Sequence, residues 1–192
     1  EEKDILQIKN LYLIYEEDDG MVLVDQHAAH ERIRIEQLMD QYEEVKLLGN
    51  QKLLIPVEIK LNKSELLVIS DSLGIWKGLG FEIGINQNEI EIKGIPVNLV
   101  GENLEKAFRE VIGDLGNEDL VRNLPDNKMK IITYLSCRTA IKAGAKLTMI
   151  QRRELINQLE QCKRPYTCPH GRPVSIKLRW GEMEKMFLRI GM

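Results

Sequence analysis

The chain has 192 residues, of which 43% are hydrophobic, a formal net charge of -3 and an isoelectric point near 5.8. An acidic protein binds nucleic acid poorly on its own, because phosphate neutralisation needs a basic surface. No apolar run approaches the roughly 18 residues of a membrane span, so we expect a soluble, intracellular protein. Because the chain begins with Glu1 rather than Met, we also expect it to be a piece of a longer protein.

The first predicted elements are two strands and a helix. Apolar runs at 11–15 and 21–24 flank an acidic turn at 16–20, which is the pattern of a hairpin. The periodicity then predicts a helix over 27–42, and Asp25 is a suitable N-cap for it. The capping role alone is enough to explain an acid at this position.

The predicted helix carries titratable residues at its edge. Plotted at about 100° per residue, His27 and Glu31 lie beside the apolar face, whereas Glu36 points nearly opposite. His27 and Glu31 can therefore serve one site at the rim of the core. His30 lies slightly further round, as either a third ligand or a solvated neighbour, and we favour the neighbour.

The sequence predicts further strands and helices after this first helix. They are strands at 57–61, 81–85, 89–93 and 174–178 and helices at 64–79, 102–114, 128–143 and 148–162. The block between about 56 and 140 has its own strands and helices, as an inserted lobe would. We therefore predict an α+β fold with two lobes.

Cysteine and histidine residues far downstream complement the helix. The three cysteines lack a disulfide-framework spacing and are expected to be thiols. Cys168 and His170 offer a thiolate and an imidazole on one loop. Together with His27 and Glu31, this pair indicates a transition-metal site. Cys137 is a third candidate, and its alternative is a small buried thiol inside a helix.

Two arginines and the cap carboxylate have more than one interpretation. Asp25 beside His27 could contact a metal or its water as well as cap the helix. Arg138 and Arg172 could bind phosphate through two hydrogen bonds each, although structural salt bridges are as good an explanation.

Four motifs in this order resemble those of the endonuclease-type MutL mismatch-repair proteins. Residues 25–36 match that family's DQHA(x)2E(x)4E signature, and residues 136–138 look like its ACR motif with Ser for Ala. Residues 168–173 are similar to the C-[PS]-H-G-R-P motif, and 187–189 to the FxR motif. The motifs span nearly the whole chain. One departure is at the start, where Gln7 lacks the preceding Gly of the family's Gly-Gln.

The resemblance implies a C-terminal domain of this family. It implies a homodimer built on a lobe formed by both chain ends, 1–55 plus 141–192, which carries most of the metal site. It also implies an inserted external, regulatory α/β lobe at 56–140. The ATP-binding N-terminal region of the family is absent from the sequence.

The resemblance also implies the roles of individual residues. The zinc ligands of the family match His27, Glu31, Cys137, Cys168 and His170. Asp25 matches the acid needed for strand nicking, and we place Glu31 beside it as a second catalytic carboxylate. Glu36, Arg138 and Arg172 have supporting roles.

The segment at 51–56 resembles the Gln-x-x-[Leu/Ile]-x-Pro motif that docks bacterial members of this family onto the replication sliding clamp. The matching residues are Gln51, Leu54 and Pro56. The alternative is that these apolar residues before a proline simply begin a strand.

The expected function is metal-dependent hydrolysis of a DNA phosphodiester, with Zn²⁺ in the site and Mn²⁺ or Mg²⁺ for nicking. The expected partners are a second copy, DNA that is bound weakly, the sliding clamp, a MutS-type mismatch-recognition protein and the N-terminal region, but no membrane. A bacterial protein of this kind would be cytoplasmic and nucleoid-associated. The alternatives are a non-catalytic dimerisation and docking module with a structural zinc, and a hydrolase with Cys168 or Cys137 as nucleophile.

Overall fold

The structure is a computed structural model that describes residues 3–43, 50–99, 103–116, 127–142, 144–168 and 171–189. Helices and antiparallel sheets are both present, which confirms the predicted α+β class. Within the described residues, no helix is long and apolar enough to span a membrane. The chain divides into two compact units, which we call the end unit (Glu1–Ile33 with Ala140–Met192) and the central unit (Arg34–Thr139).

The elements have the following bounds in chain order: β1 (Leu6–Ile8), β2 (Tyr12–Glu17), β3 (Gly20–Asp25), α1 (Gln26–Glu43), β4 (Asn50–Lys60), α2 (Lys63–Gly78), β5 (Glu82–Ile85), β6 (Glu89–Pro96), a short 3-10 helix (Val97–Leu99), α3 (Leu104–Gly116), α4 (Asn127–Thr139), α5 (Met149–Gln161), β7 (Ser175–Arg179) and α6 (Trp180–Met186). The sequence did not predict β1 or α6. The first division between the units falls inside α1, because Ile35 and Leu38 pack into the central core. The predicted lobe bounds, 1–55 plus 141–192 and 56–140, stay predictions. The roles of the two lobes stay predictions.

The end unit is built on a four-stranded antiparallel sheet with the order β1-β2-β3-β7. Alternation along β2 and β3 sends one set of side chains into the core. That core joins the sheet to α5 and to the first half of α1, and its members include Leu13, Tyr15, Val22, Val24, Ala29, Ile33, Leu155, Ile156 and Leu159. Thr148 caps α5, since its hydroxyl accepts a hydrogen bond from the Gln151 backbone N–H.

The hairpin between β2 and β3 confirms the predicted acidic turn. Glu17 pairs with Gly20 across it. A Cβ on Gly20 would lie 2.5 Å from the backbone oxygen of Leu178, so only glycine lets β7 pair so closely with the start of β3. β3 is therefore an inner strand, and it ends at Asp25, where the chain turns directly into α1.

The central unit has a three-stranded antiparallel sheet with the order β4-β6-β5. Its core holds side chains from that sheet, from α2 to α4 and from the second half of α1. Trp76, Phe81 and Phe108 form an aromatic cluster at the centre, with ring centroids 4.4–5.3 Å apart. The buried Trp76 indole N–H donates to Ser72 Oγ at 3.0 Å, so its polar atom is satisfied.

Candidate functional site

Asp25 occupies the corner between β3 and α1. Its backbone N–H donates to the Val174 carbonyl at 2.9 Å, which continues the pairing with the β7 side of the sheet. Its Oδ1 accepts hydrogen bonds from the backbone N–H groups of His27 at 2.9 Å and Ala28 at 3.0 Å. These bonds confirm the predicted N-cap. Because both end on Oδ1, the cap leaves Oδ2 able to bind a cation or a water molecule.

His27 and Glu31 lie side by side on α1, as their spacing predicted. The His27 Nδ1 atom is 2.8 Å from the Ile141 carbonyl oxygen. A carbonyl only accepts, so Nδ1 carries the proton and the neutral ring has its lone pair on Nε2. That Nε2 is 3.4 Å from Glu31 Oε1. Backbone bonding of the other ring nitrogen is the usual arrangement of a metal-binding histidine.

The donor pair fits a bound cation. The side chain of Glu31 is buried, with 6% of its residue surface exposed, so its negative charge requires a cation or a proton nearby. At zinc-to-ligand distances of about 2.0–2.2 Å, two atoms of a tetrahedral site lie about 3.4 Å apart. The separation of His27 Nε2 and Glu31 Oε1 is the same. A protonated His27 in an ion pair with Glu31 satisfies the same geometry.

The loop that carries Cys168 is a tight turn against the core. The Cys168 backbone N–H donates to the Arg172 carbonyl at 2.8 Å, and the Gly171 N–H returns to the Cys168 carbonyl at 3.0 Å. Gly171 has a φ of 77°, which a glycine adopts without strain. Arg32 of α1 reaches this loop, because its Nε donates to the Thr167 carbonyl at 2.6 Å. The helix with the candidate ligands therefore also holds the loop that contains the buried thiol of Cys168.

The other two predicted ligands are His170 and Cys137. His170 lies outside the described residues, and its role stays a prediction. Cys137 is half-buried on α4, and it belongs with Glu36 to the central unit. Among the described residues, no group of three His, Cys, Asp or Glu side chains is placed to hold a metal ion.

The structure separates the two candidate arginines. Arg138 Nη2 lies 2.5 Å from Asp114 Oδ2, and Arg138 Nε lies 3.6 Å from Glu110 Oε2. The hydrogen bond to Asp114 is the main reason that the pKa of Arg138 is raised above its ordinary value. These contacts favour the structural salt bridge for Arg138. Arg172 is exposed on the Cys168 loop, where it can contact a phosphate.

A buried amide network next to the site was missed from the sequence. Gln26 is fully buried, and its Nε2 donates to the carbonyls of Asn10 at 2.7 Å and Ala145 at 3.0 Å. Gln7 Nε2 donates to Gln26 Oε1 at 2.7 Å, and Gln7 Oε1 accepts from the Leu147 N–H at 3.0 Å. The sequence did contain a signal for the burial of Gln26, because Gln26 lies on the same helix face as the core residues Ala29 and Ile33.

His30 is neither a free surface residue nor simply a further ligand. Its Nδ1 accepts a hydrogen bond from the backbone N–H of Ile141 at 2.7 Å. His27 holds the carbonyl of the same residue. The two histidines of α1 therefore bind both backbone polar groups of Ile141, which no sequence pattern indicated.

The predicted clamp motif lies in an irregular stretch of an edge strand. Lys52 pairs with Gly94 and Val57 with Ile92, so residues 53–56 stand opposite a single residue of β6. Such a bulge turns side chains out of the sheet. Leu54 is fully exposed, and Ile55 is 82% exposed. The segment is thus part of a strand and also presents two apolar side chains to solvent.

The sheet of the end unit has an apolar face opposite its core. Leu6, Ile14, Leu23 and Ile176 are paired in one row across all four strands. Paired residues lie on the same side of a sheet. Leu6 and Ile176 are 57% and 53% exposed, and Ile8 and Tyr12 in the next row are exposed as well.

The chain is similar to known proteins over nearly its whole length. The family model "MutL C terminal dimerisation domain" matches residues 5–147. The DNA mismatch repair protein MutL of Clostridium botulinum (strain Loch Maree / Type A3) is 34% identical over 189 residues, which are 98% of this chain and 28% of that protein. MutL of Methanoculleus marisnigri is 35% identical over 185 residues, 95% of this chain and 31% of that protein. MutL of Neisseria gonorrhoeae is 30% identical over 186 residues, 96% of this chain and 28% of that protein. The chain spans about three tenths of the length of these relatives.

Proposed function

The chain belongs to the MutL C-terminal dimerisation-domain family, as its motifs predicted, and from this premise we propose that it is a metal-dependent endonuclease that nicks DNA in mismatch repair. The observation that carries the proposal is the start of α1. There Asp25 is fixed by two cap bonds, and His27 Nε2 faces the buried carboxylate of Glu31 at 3.4 Å. Carboxylate and imidazole groups in this arrangement are typical of hydrolytic metal sites.

The proposed zinc ligands are His27, Glu31, Cys168 and His170, and Cys137 stays a ligand that the resemblance implies. A thiolate and imidazole set favours Zn²⁺, whereas the carboxylate oxygens of Asp25 and Glu31 suit the Mn²⁺ or Mg²⁺ that we propose for nicking. When bound, such an ion polarises the phosphate and lowers the pKa of a water molecule.

The chain's own groups orient the reaction. We propose that Asp25 Oδ2 takes the proton of the attacking water, while the cap bonds to Oδ1 hold the carboxylate in place. Arg172 contacts a phosphate of the DNA through its exposed guanidinium. Glu36 and Arg138 have supporting roles rather than roles in the reaction itself. The role of Arg138 depends on its salt bridge with Asp114.

We propose that the active form is a homodimer joined through the apolar face of the end unit's sheet. The family description names dimerisation, and this face has apolar residues in matching positions on all four strands. Solvent-exposed apolar surface of this extent is typical of an interface. A second copy is the occupant that the family description supports.

The sliding clamp is the proposed second partner, and it docks on β4. The bulge at 53–56 turns Leu54 outward, where a groove on the clamp can take its side chain. Gln51 precedes the bulge and is exposed, and Pro56 closes it. A strand edge with exposed anchors is a common peptide-recognition device.

The acidic charge of the chain indicates that it needs partners to reach DNA, and the family resemblance implies which partners these are. A net charge of -3 predicts weak binding to DNA by this domain alone. We propose that the ATP-binding N-terminal region, a MutS-type protein and the clamp bring it to DNA, in the cytoplasm of a bacterial cell.

The test is nicking of supercoiled plasmid with Mn²⁺, for the wild type and for Asp25→Asn. Asparagine caps a helix as well as aspartate does, so the variant keeps the fold. We expect nicking to fall at least about 100-fold, in line with the loss of a general base, while bound zinc measured by elemental analysis is unchanged. Asp71→Asn, on an exposed position of α2, is the matched control and should nick normally. Equal residual nicking in wild type and Asp25→Asn would exclude the nuclease.

The second candidate is a dimerisation and docking module whose zinc only stabilises the fold. The family description and the apolar sheet face favour it. It predicts bound zinc, a dimer and no nicking by any variant. A hydrolase that uses Cys168 as nucleophile is disfavoured, because that thiol is buried in the core.

A further inference from the structure

Ile141 lies on the segment that joins α4 to α5, and it is held from both sides by α1. Its N–H donates to His30 Nδ1 at 2.7 Å, and its carbonyl lies 2.8 Å from His27 Nδ1. The two rings are three residues apart, so they project from the same side of the helix. Each backbone polar group of Ile141 is therefore paired with a different histidine.

The two hydrogen bonds fix opposite tautomers in the two rings. The Ile141 N–H requires a lone pair on His30 Nδ1, so a neutral His30 carries its proton on Nε2. The Ile141 carbonyl requires a proton on His27 Nδ1, which leaves Nε2 as the metal-binding atom. The correct tautomer of His27 therefore depends on where the Ile141 carbonyl is held.

The segment around Ile141 has little regular structure to hold it. The described residues between Thr139 and Thr148 include no helix or strand. Their positions depend on hydrogen bonds from side chains and on individual backbone hydrogen bonds. Gln26 binds the Ala145 carbonyl, and the Gly144 N–H donates to the Asn10 carbonyl at 3.1 Å. At Ile141 itself, the N–H is held by His30.

We propose that His30 is a positioning residue that, by binding the Ile141 N–H, aligns the Ile141 carbonyl and so sets the tautomer and direction of His27. His30 does not touch the metal through Nδ1 in this arrangement, because the Ile141 N–H occupies that atom. The expected effect on metal affinity rests on the proposed metal centre, whereas the two hydrogen bonds do not depend on it. Loss of an outer-shell partner of a metal ligand typically lowers metal affinity about 10- to 100-fold.

Two substitutions test whether the hydrogen-bond acceptor at position 30 is sufficient or whether the whole imidazole ring is needed. His30→Asn keeps an acceptor, because the Asn Oδ1 and the His Nδ1 are both bonded to Cγ. His30→Ala removes it and leaves the Ile141 N–H without its side-chain partner. We expect His30→Ala to weaken zinc binding about 10-fold and His30→Asn to restore it nearly to the wild-type value.

The direct readout is the tautomer of His27 in zinc-free protein, from nitrogen-15 NMR of the imidazole at a pH of about 8, where an ordinary histidine is neutral. The chain has three histidines, so substitution assigns each ring. Wild type and His30→Asn should hold His27 with the proton on Nδ1, whereas His30→Ala should show an exchanging mixture. A fixed Nδ1–H tautomer in His30→Ala, or a mixture in His30→Asn, overturns the inference.

Zinc affinity, measured by competition with a chromophoric chelator, completes the test. A wild type that binds no zinc would refute the proposed metal centre and leave the NMR result to decide the role of His30. Zinc binding by wild type that is equal in His30→Ala would refute the role of His30 and leave the metal centre standing. Circular dichroism checks that both variants are folded.

Discussion

At the residue scale, the first four residues of the signature have four different physical tasks. Asp25 caps α1, Gln26 is buried among backbone carbonyls, His27 faces Glu31, and Ala28 packs against the core. The helix starts directly from an inner strand, so all four positions lie next to the sheet. The strand-to-helix turn thus positions side chains of the proposed site directly beside side chains that support the fold.

Gln26 gives the residue-scale prediction about stability. In Gln26→Leu the carbonyls of Asn10 and Ala145 and the amide of Gln7 lose a buried partner. The Ala145 carbonyl keeps a hydrogen bond from Gln7 Nε2, and the Asn10 carbonyl keeps one from the Gly144 N–H, so the loss is that of three hydrogen bonds. Each contributes about 1 kcal/mol, so we expect the free energy of unfolding to fall by about 3 kcal/mol. Urea denaturation measures it.

The matched control for Gln26 is Gln161→Leu at the exposed end of α5. It should change the free energy of unfolding by less than about 0.5 kcal/mol. If the two variants were equally stable, the network would have no energetic role.

At the element scale, β4 combines a regular strand with the proposed docking segment at 51–56. The edge position leaves one side of the strand unpaired, and the shift of register at 53–56 keeps that side from being flat. Bulges and short regular stretches are how natural edge strands avoid pairing with other sheets. The same distortion exposes Leu54 and Ile55 without disturbing the core, while Leu53 still packs against it.

The prediction for β4 separates docking from folding. Changing both Leu54 and Ile55 to Ala should abolish capture of the chain by the immobilised replication clamp. Because both side chains are exposed, the free energy of unfolding should change by less than about 0.5 kcal/mol. Pull-down measures the capture by the clamp, and urea denaturation of the same preparation measures the free energy of unfolding.

Leu67→Ala provides the control, since this leucine of α2 is 64% exposed and lies in the same unit. It should bind the clamp as wild type does. Undiminished capture of the double variant would mean that residues 51–56 only form a strand.

The elements show which parts of this fold are readable from sequence. The hairpin, α1, α2 and α5 were predicted because each has a clear period and a cap or turn at its end. β1 has only three residues, and α6 is a short polar helix with no buried residue, so neither produces a periodic signal. The bulge in β4 was not predictable either, because it is defined by its partner strand and not by its own residues.

The candidate site divides in the same way. The cap bond of Asp25 and the pairing of His27 with Glu31 depend on spacing along one helix, and sequence alone predicted both. The contacts of His30 and Gln26 with the segment after α4 join residues more than 100 positions apart. Such contacts follow from tertiary packing, and a single sequence carries no signal for them.

At the scale of the whole molecule, the proposed function and the net charge of -3 together predict that the chain reaches DNA through assembly. Two copies in a dimer, each able to dock on a clamp, would raise the effective concentration of the site at DNA without any strong contact of its own. The proposed endonuclease therefore depends on the dimer face as much as on the residues at the start of α1.

The dimer face gives the last prediction. Ile176 lies on β7 in the row with Leu6, Ile14 and Leu23, and it is 53% exposed in the single chain. Ile176→Asp would place a charge within the proposed interface, where it cannot be solvated when two copies meet. We expect a monomer at micromolar concentration, by light scattering coupled to size-exclusion chromatography, with an unchanged circular dichroism spectrum.

Ile150→Asp is the matched control, because Ile150 is 80% exposed on α5 of the same unit but lies off the sheet. It should remain a dimer. The opposite pattern, with Ile176→Asp dimeric and Ile150→Asp monomeric, would move the interface from the sheet to α5. Since nicking by the proposed mechanism depends on assembly at DNA, monomeric Ile176→Asp should also lose activity on clamp-loaded plasmid while it retains its zinc. Loss of activity with retained metal would then separate assembly from the chemistry at Asp25.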